Sequence, residues 1–373
     1  ENISTVANLP NPNLKWEQTA QTNIGWDLGF FDGRLNIGGD FYYKKTTDLF
    51  TNVDVSPING ITSYIMNNGD MLNKGFSISL NGYPVKTKNF RWYMSTYYSV
   101  NLNKVQTDDA RNYNLNDYLN GTAVVSGQPI STFYSYKFLG LNPQNGAPMF
   151  DDWEDRWHLL QGKTLDEVVP MILVNSGTRD PKFSGDLNNT FTYKNWSLSL
   201  NFSYSLGSKV RLFEMYGPII NGISAAANVR EEFLDRWQVP GDEKYTVYPL
   251  IISPSSPDYE HYRLHYSAPQ RAVGPNSGVP AFANNVWQMY DDSDLRVVSG
   301  NYLKLQSLSF SYRLNDRLLR KTPFTQLSIS FNTHNCFTIS AKELRGQDPS
   351  QAGFADAGLS IRPSYTIGLN VSF

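Results

Sequence analysis

The sequence of 373 residues has one cysteine, Cys336, and no apolar run near the roughly 18 residues that a membrane-spanning helix needs. The lone thiol excludes an intramolecular disulfide scaffold and any multi-cysteine zinc site. The absent apolar run excludes a helical membrane protein. It leaves a β-barrel open, because barrel strands hide their hydrophobicity by alternation. Charge is scarce too, at 18% against about 25% in ordinary domains. With 32 Lys+Arg against 34 Asp+Glu the net charge is −2, which lacks the basic excess that displaces phosphate counterions and so argues against nucleic acid. Glu1-Asn2-Ile3-Ser4 has neither the charged nor the apolar region of a signal peptide.

What the chain does have is aromatics, at 14%, and alternation. Tyr365, Ile367, Leu369, Val371 and Phe373 share one face of an extended segment, and Ser364, Thr366, Gly368, Asn370 and Ser372 share the other. Trp196, Leu198, Leu200, Phe202, Tyr204 and Leu206 repeat the pattern against a face of Ser and Asn. The same period recurs over 22–30, 35–43, 76–80, 90–102, 187–193, 308–314 and 327–331. That predicts about nine strands, most of them near the 9–11 residues of a tilted strand that crosses a bilayer.

Connections alternate strictly in length. Phe31-Asp32-Gly33-Arg34, Lys86-Thr87-Lys88-Asn89 and Tyr193-Lys194-Asn195-Trp196 are tight polar turns, and 315–322 is slightly longer. The others, near 46–74, 104–183, 207–300 and 339–362, are long. Short periplasmic turns and long extracellular loops are the asymmetry of outer-membrane barrels. The segment 131–138 also alternates, but a spanning strand there would break the parity, so it is assigned to the outer loop. Aromatics cluster at Phe30, Phe31, Phe90, Trp92, Tyr193, Trp196, Tyr312, Phe324 and Phe373 beside the short turns. A second group, Tyr42, Tyr43, Tyr97, Tyr98 and Tyr204, lies toward the other strand ends. Two such belts match membrane-interface girdles. The competing reading is a soluble β-sandwich with an aromatic core.

Nine strands do not close a bacterial barrel, which takes an even number. Each open edge in lipid would leave about five unpaired backbone groups at several kcal/mol apiece. The expectation is that further strands come from another segment or chain.

Asn11-Pro12-Asn13-Leu14-Lys15-Trp16-Glu17 with Asn23-Ile24-Gly25-Trp26-Asp27 resembles the barrel entry of SusC/RagA-like TonB-dependent outer-membrane transporters. The resemblance continues, in family order, through Gly140-Leu141-Asn142-Pro143 to Gly146-Ala147-Pro148, Pro181-Lys182-Phe183-Ser184-Gly185-Asp186, Arg236-Trp237-Gln238-Val239-Pro240-Gly241-Asp242, Asn301-Tyr302-Leu303-Lys304-Leu305 and Gln347-Asp348-Pro349. It implies an all-β fold, the C-terminal part of a barrel of about 22 antiparallel transmembrane strands. Residues 1–19 would be an outer loop and 20–373 barrel, with the plug and TonB-box segments of the family missing from this stretch. It also implies an outer-membrane nutrient importer of the Bacteroidota, not an enzyme, with the C-terminus on the periplasmic side. Its partners would be a SusD-like surface lipoprotein, the rest of the barrel and its plug, the TonB complex, lipid, and a glycan or peptide cargo. Phe373 would serve barrel closure and assembly. No cofactor is implied. The rival readings are a secreted soluble glycan-binding module or glycosidase, and a passive porin or adhesin barrel.

The loops hold the remaining candidates. Trp153, Trp157, Tyr216, Trp237, Trp287 and Tyr290 could stack on sugar rings or meet the lid, or simply pack the loops together. Asp151, Asp152, Glu154 and Asp155 form an acidic group, as do Asp291, Asp292 and Asp294, but neither has a calcium-loop pattern. His261 and His265 are four apart behind Glu260, without the glutamate placement of a metalloprotease. No metal is therefore assigned.

Overall fold

The computed structural model describes residues 11–54, 63–107, 113, 115–151, 154–160, 163, 165–217, 229–251, 286–350 and 362–373. Nine strands form one sheet: β1 (Gln18–Phe30), β2 (Leu35–Thr47), β3 (Asp70–Lys86), β4 (Phe90–Gln106), β5 (Phe183–Tyr193), β6 (Trp196–Leu206), β7 (Tyr302–Arg313), β8 (Gln326–Ser340) and β9 (Ser364–Ser372). Each pairs antiparallel with its neighbour in sequence, so the sheet is an up-and-down meander with β1 and β9 as its two edges. The nine alternating segments read from the sequence are these nine strands. The 131–138 segment stays out of the sheet: Thr132–Tyr136 pairs with Leu173–Thr178 within the β4–β5 loop.

Several strands run longer than alternation indicates. At about 3.3 Å per residue, the 17 residues of β3 or β4 reach about 56 Å, beyond the ~42 Å that a 45° strand needs to cross ~30 Å of hydrocarbon. β7 hides its first half by a register shift between Leu305 and Ser307. Leu308, Phe310 and Tyr312 are even-numbered, but past the bulge the same face is carried by Leu303 and Leu305.

The turns between β1 and β2 and between β5 and β6 are tight. Phe31, Asp32 and Gly33 all have positive φ (56°, 57° and 76°), which closes the first in four residues. In the second, Lys194 is left-handed (φ 51°), and its N–H donates to the Asn89 carbonyl of the neighbouring turn at 2.9 Å. Asn195 Nδ2 and the Arg313 carbonyl are likewise joined at 2.9 Å. The turns are thus stitched side to side along one end of the sheet.

Paired residues point to the same face, so register decides what each face presents. Ile24, Phe41, Phe76, Val100, Phe183 and Leu206 stand in line across β1 to β6. Leu198, Phe310, Phe331 and Ile367 carry the same face from β6 to β9. This face is largely open: Phe41, Phe76 and Phe310 are 40–47% exposed and the edge residues Ile24 and Ile367 61% and 80%, while Val100 and Leu305 are buried. A soluble sandwich would cover it with a second sheet, and none is present among the described residues. Apolar surface of this extent marks an interaction or membrane face.

One belt assignment needs correction. Tyr42 and Tyr97 lie on the opposite face from Tyr43 and Tyr98, because adjacent strand residues point apart. Tyr42 pairs with Asn23 and Gly75, and its hydroxyl donates to Asn101 Oδ1 at 2.8 Å. The apolar-face belt at the loop end is carried instead by Tyr98, stacked on Phe183 (6.0 Å), and by Tyr365, stacked on Phe331 (6.3 Å). At the turn end, Trp92 stacks on Phe191 (5.7 Å) and Trp196 on Phe310 (5.2 Å), as expected.

The buried core lies outside the sheet. Leu119, Tyr134, Tyr136, Phe150, Val168 and Ile172 of the β4–β5 loop pack with Met215, Tyr216, Phe233, Trp287, Met289 and Tyr290 of the β6–β7 loop. These two long loops therefore fold as one unit over the end of the sheet.

Candidate functional site

Opposite the apolar face is a polar, hydrogen-bonding one. One register line runs Gly29, Asn36, Asn81, Ser95, Asn188, Asn201, Ser307, His334 and Ser364 through all nine strands. Its side chains bond to one another within the face. Asn103 Nδ2 donates to Asn73 Oδ1 (2.8 Å), Ser309 Oγ to Asn332 Oδ1 (2.7 Å), Gln306 Nε2 to Ser203 Oγ (2.8 Å), and Thr190 Oγ1 and Ser199 Oγ lie 3.2 Å apart. Along β5, β6 and β9, Asp186 is the one charged side chain on it. Hydroxyls and amides of this kind both donate and accept, which suits contact with water or hydrated solutes.

Glycines fall where this sheet is tight. A Cβ on Gly39 would sit 2.4 Å from the Trp26 indole, so that ring can lie across the neighbouring strand. A Cβ on Gly185 would meet the Tyr97 carbonyl at 2.0 Å.

The four described loop aromatics among the candidates come together, and they do so inside the loop unit. Tyr216, Trp237, Trp287 and Tyr290 are all buried. Tyr216 packs edge-on against Phe233 (5.1 Å) and Tyr290 (5.4 Å). Three of the four hold consecutive carbonyls: the Trp237 backbone N–H donates to Tyr248 (2.9 Å), the Tyr216 hydroxyl to Pro249 (2.6 Å) and the Trp287 indole N–H to Leu250 (3.1 Å). Burial leaves these rings no free face for a ligand, so in this structure they pack the loops. Trp237 also explains a glycine: a Cβ on Gly146 would lie 2.4 Å from its ring. Trp153 and Asp152 lie outside the described residues, as do Glu260, His261 and His265 and the side chains of Glu154, Asp155 and Trp157. Asp151 is exposed and paired with Arg156.

The Asp291–Asp294 group is dispersed rather than gathered. Asp291 accepts the backbone N–H groups of Met215, Tyr216 and Gly217 at 2.8–2.9 Å. Asp294 accepts from Lys137 Nζ (2.9 Å) and the Phe138 N–H (3.0 Å). Burial pushes the Asp291 carboxyl up to about 6, against the pull of Arg296 and the three N–H groups. Burial likewise pushes Asp292 up to about 7, opposed by Arg211. Burial lowers Arg211, whose guanidinium donates to the carbonyls of Leu119 (3.1 Å) and Tyr134 (2.8 Å) and to Ser135 Oγ (3.0 Å). Burial raises the Tyr216 hydroxyl. Among the described residues no three metal-ligating side chains converge. The charges brace the two loops internally.

Sequence reading missed two joints. Lys304, on the polar face of β7, pairs with Asp348 of the β8–β9 loop at 2.9 Å, both buried. Burial disfavours the Asp348 carboxylate, but bonds from Ser350 and Lys304 outweigh it and hold the carboxyl below its ordinary range. The second joint is the Gly146–Trp237 contact. All four residues fall inside motifs of the resemblance (146–148, 236–242, 301–305 and 347–349), but nothing in the sequence pairs them.

The family described as TonB dependent receptor-like, beta-barrel matches residues 2–230. TonB-dependent receptor P3 of Formosa agariphila is 25% identical over 99% of this chain and 35% of its own length. TonB-dependent receptor SusC of Bacteroides thetaiotaomicron is 30% identical over 57% of this chain and 21% of its own. In shape, the chain is similar to the RagAB peptide transporter, with a TM-score of 0.70 at 20% identity, over all of this chain and 38% of that one. The chain thus spans about a third of the length of TonB-dependent receptor P3.

Proposed function

The chain belongs to the TonB-dependent receptor-like β-barrel family, and from that premise we propose that it forms nine consecutive strands of the wall of an outer-membrane importer. The observation that carries this is the sheet itself: one largely exposed apolar face, one polar face, and two edge strands that pair with nothing further among the described residues. The apolar face meets lipid and the polar face lines the lumen. The stitched short turns lie on the periplasmic side, together with Phe373, and the packed loops lie outside. The remaining strands and a plug come from the rest of the polypeptide, and TonB supplies the energy through that part.

A SusD-like lipoprotein closes over the loop unit, and the cargo is a glycan or peptide. Similarity to SusC and to a peptide transporter supports this pairing. Trp153 and Trp157 are the candidates for cargo or lid contact. The four buried aromatics act indirectly, by fixing loop shape. Phe373 packs edge-on against Phe324 at 5.2 Å at the seam where β9 joins the barrel's first strand.

The test is co-purification of the complete polypeptide from detergent-solubilised outer membranes. Recovery with a surface lipoprotein, and uptake of labelled oligosaccharide or peptide that stops when TonB is removed, is the expected result. TonB-independent passage would favour a passive porin, and recovery in the soluble fraction would favour a sandwich module.

A further inference from the structure

Residues 341–350 of the β8–β9 loop lie across two other parts of the chain. Leu344 is buried against Val210 and Leu212 of the β6–β7 loop. Arg345 reaches Asp235 (Nη2 to Oδ2, 3.3 Å) and lies over the Tyr248 ring. Asp348 meets Lys304 of the barrel wall, and the two side chains are 8% and 5% exposed. This segment therefore ties the 229–251 region to the polar face of the sheet.

Two features of the same segment oppose its being there. Arg345 sits in the left-handed region (φ 45°), which a non-glycine residue occupies at a cost. The side-chain amide of Gln347 is buried with neither Nε2 nor Oε1 hydrogen-bonded. Among the described residues, no other side chain has two such atoms. A buried amide without partners disfavours the state that contains it, and such groups mark stored strain.

A strained backbone and an orphaned amide, held in place by one buried ion pair, one leucine and the Arg345 contacts with Asp235 and Tyr248, describe a latch better than a brace. A buried ion pair adds little net stability over apolar packing, yet losing one partner is severe. Unlike an apolar plug, its two ends can each be hydrated once parted. We propose that residues 341–350 are a releasable strap, with Lys304–Asp348 as its clasp. Its opening frees the 229–251 region from the barrel rim and relieves Gln347. The role of that movement in import rests on reading these loops as the outer crown of a transporter.

Hydrogen exchange of the complete polypeptide in detergent tests the strap through the Leu344, Arg345 and Gln347 amides, which donate to Ala341, Lys342 and Leu344. Gln347→Leu removes the orphaned amide, so these amides should exchange roughly tenfold more slowly. Lys304→Met opens the clasp and should speed them roughly a hundredfold, with β5 and β6 unchanged. No change or faster exchange in Gln347→Leu overturns the proposal, as does equal acceleration of β5 and β6 in Lys304→Met. Should the polypeptide prove water-soluble, the transporter reading falls, while the two opposite-signed changes still decide the strap in buffer.

Discussion

Leu200 and Ser199 are neighbours in the middle of β6, equally half-exposed, and differ in the face they occupy. Leu200 pairs with Asn189 and Leu308 on the apolar face, and Ser199 pairs with Thr190 and Ser309 on the polar one. An arginine at Leu200 must place its guanidinium in hydrocarbon, which costs about 2–4 kcal/mol near the bilayer midplane. Since about 1.4 kcal/mol is tenfold, the folding equilibrium should drop by roughly 30- to 700-fold. Arginine at Ser199 gives up one hydroxyl contact in a wet, polar setting and should cost under about 1 kcal/mol. Guanidinium unfolding of the complete polypeptide in phosphatidylcholine vesicles, followed by tryptophan fluorescence, reads the difference. Equal tolerance of the two arginines, or a larger cost at Ser199, would refute the assignment of faces.

The other expectations concern the loops and the seam. Burial holds Asp291 and Asp292 above the ordinary carboxyl range, at about 6 and about 7. The folded state then binds more protons than the unfolded one, and loop stability should fall as pH rises from about 4 to about 7. Proteolysis within 229–251 should be faster at pH 8 than at pH 5, Asp292→Asn should flatten the upper part of that dependence, and a pH-independent rate would contradict it. Trp237→Ala should destabilise the loop unit by about 3–5 kcal/mol, seen as faster cleavage near 229–251 with unchanged exchange in the sheet. Phe373→Ala should lower the yield of heat-modifiable barrel in the outer membrane severalfold, and an unchanged yield would remove Phe373 from assembly.

Much of the sheet was legible because period-two alternation is a local property. Ser197 to Leu206 shows both faces within ten residues, and β9 does the same. The beginning of β7 was not, because the register shift near Gln306 moves the apolar face from even-numbered to odd-numbered residues. Tyr42 and Tyr97 were misplaced by counting aromatics near a strand end without asking which way each pointed. The loop aromatics illustrate a different limit. Trp237 and Trp287 have the composition of a binding surface, and their burial follows from contacts with 248–250 and Gly146 that only the folded loops create. Lys304 and Asp348 are 44 residues apart, and nothing local joins them.

In the proposed importer this sequence is one part of a larger barrel whose apolar face lies in lipid. The most direct measurement is the intact mass, in detergent, of the native polypeptide that carries it. A detergent-dependent protein of roughly three times 42.3 kDa is expected, since 99% of the chain aligns with only 35% of TonB-dependent receptor P3. A water-soluble monomer near 42.3 kDa would contradict it and leave the exposed apolar face without a solvent.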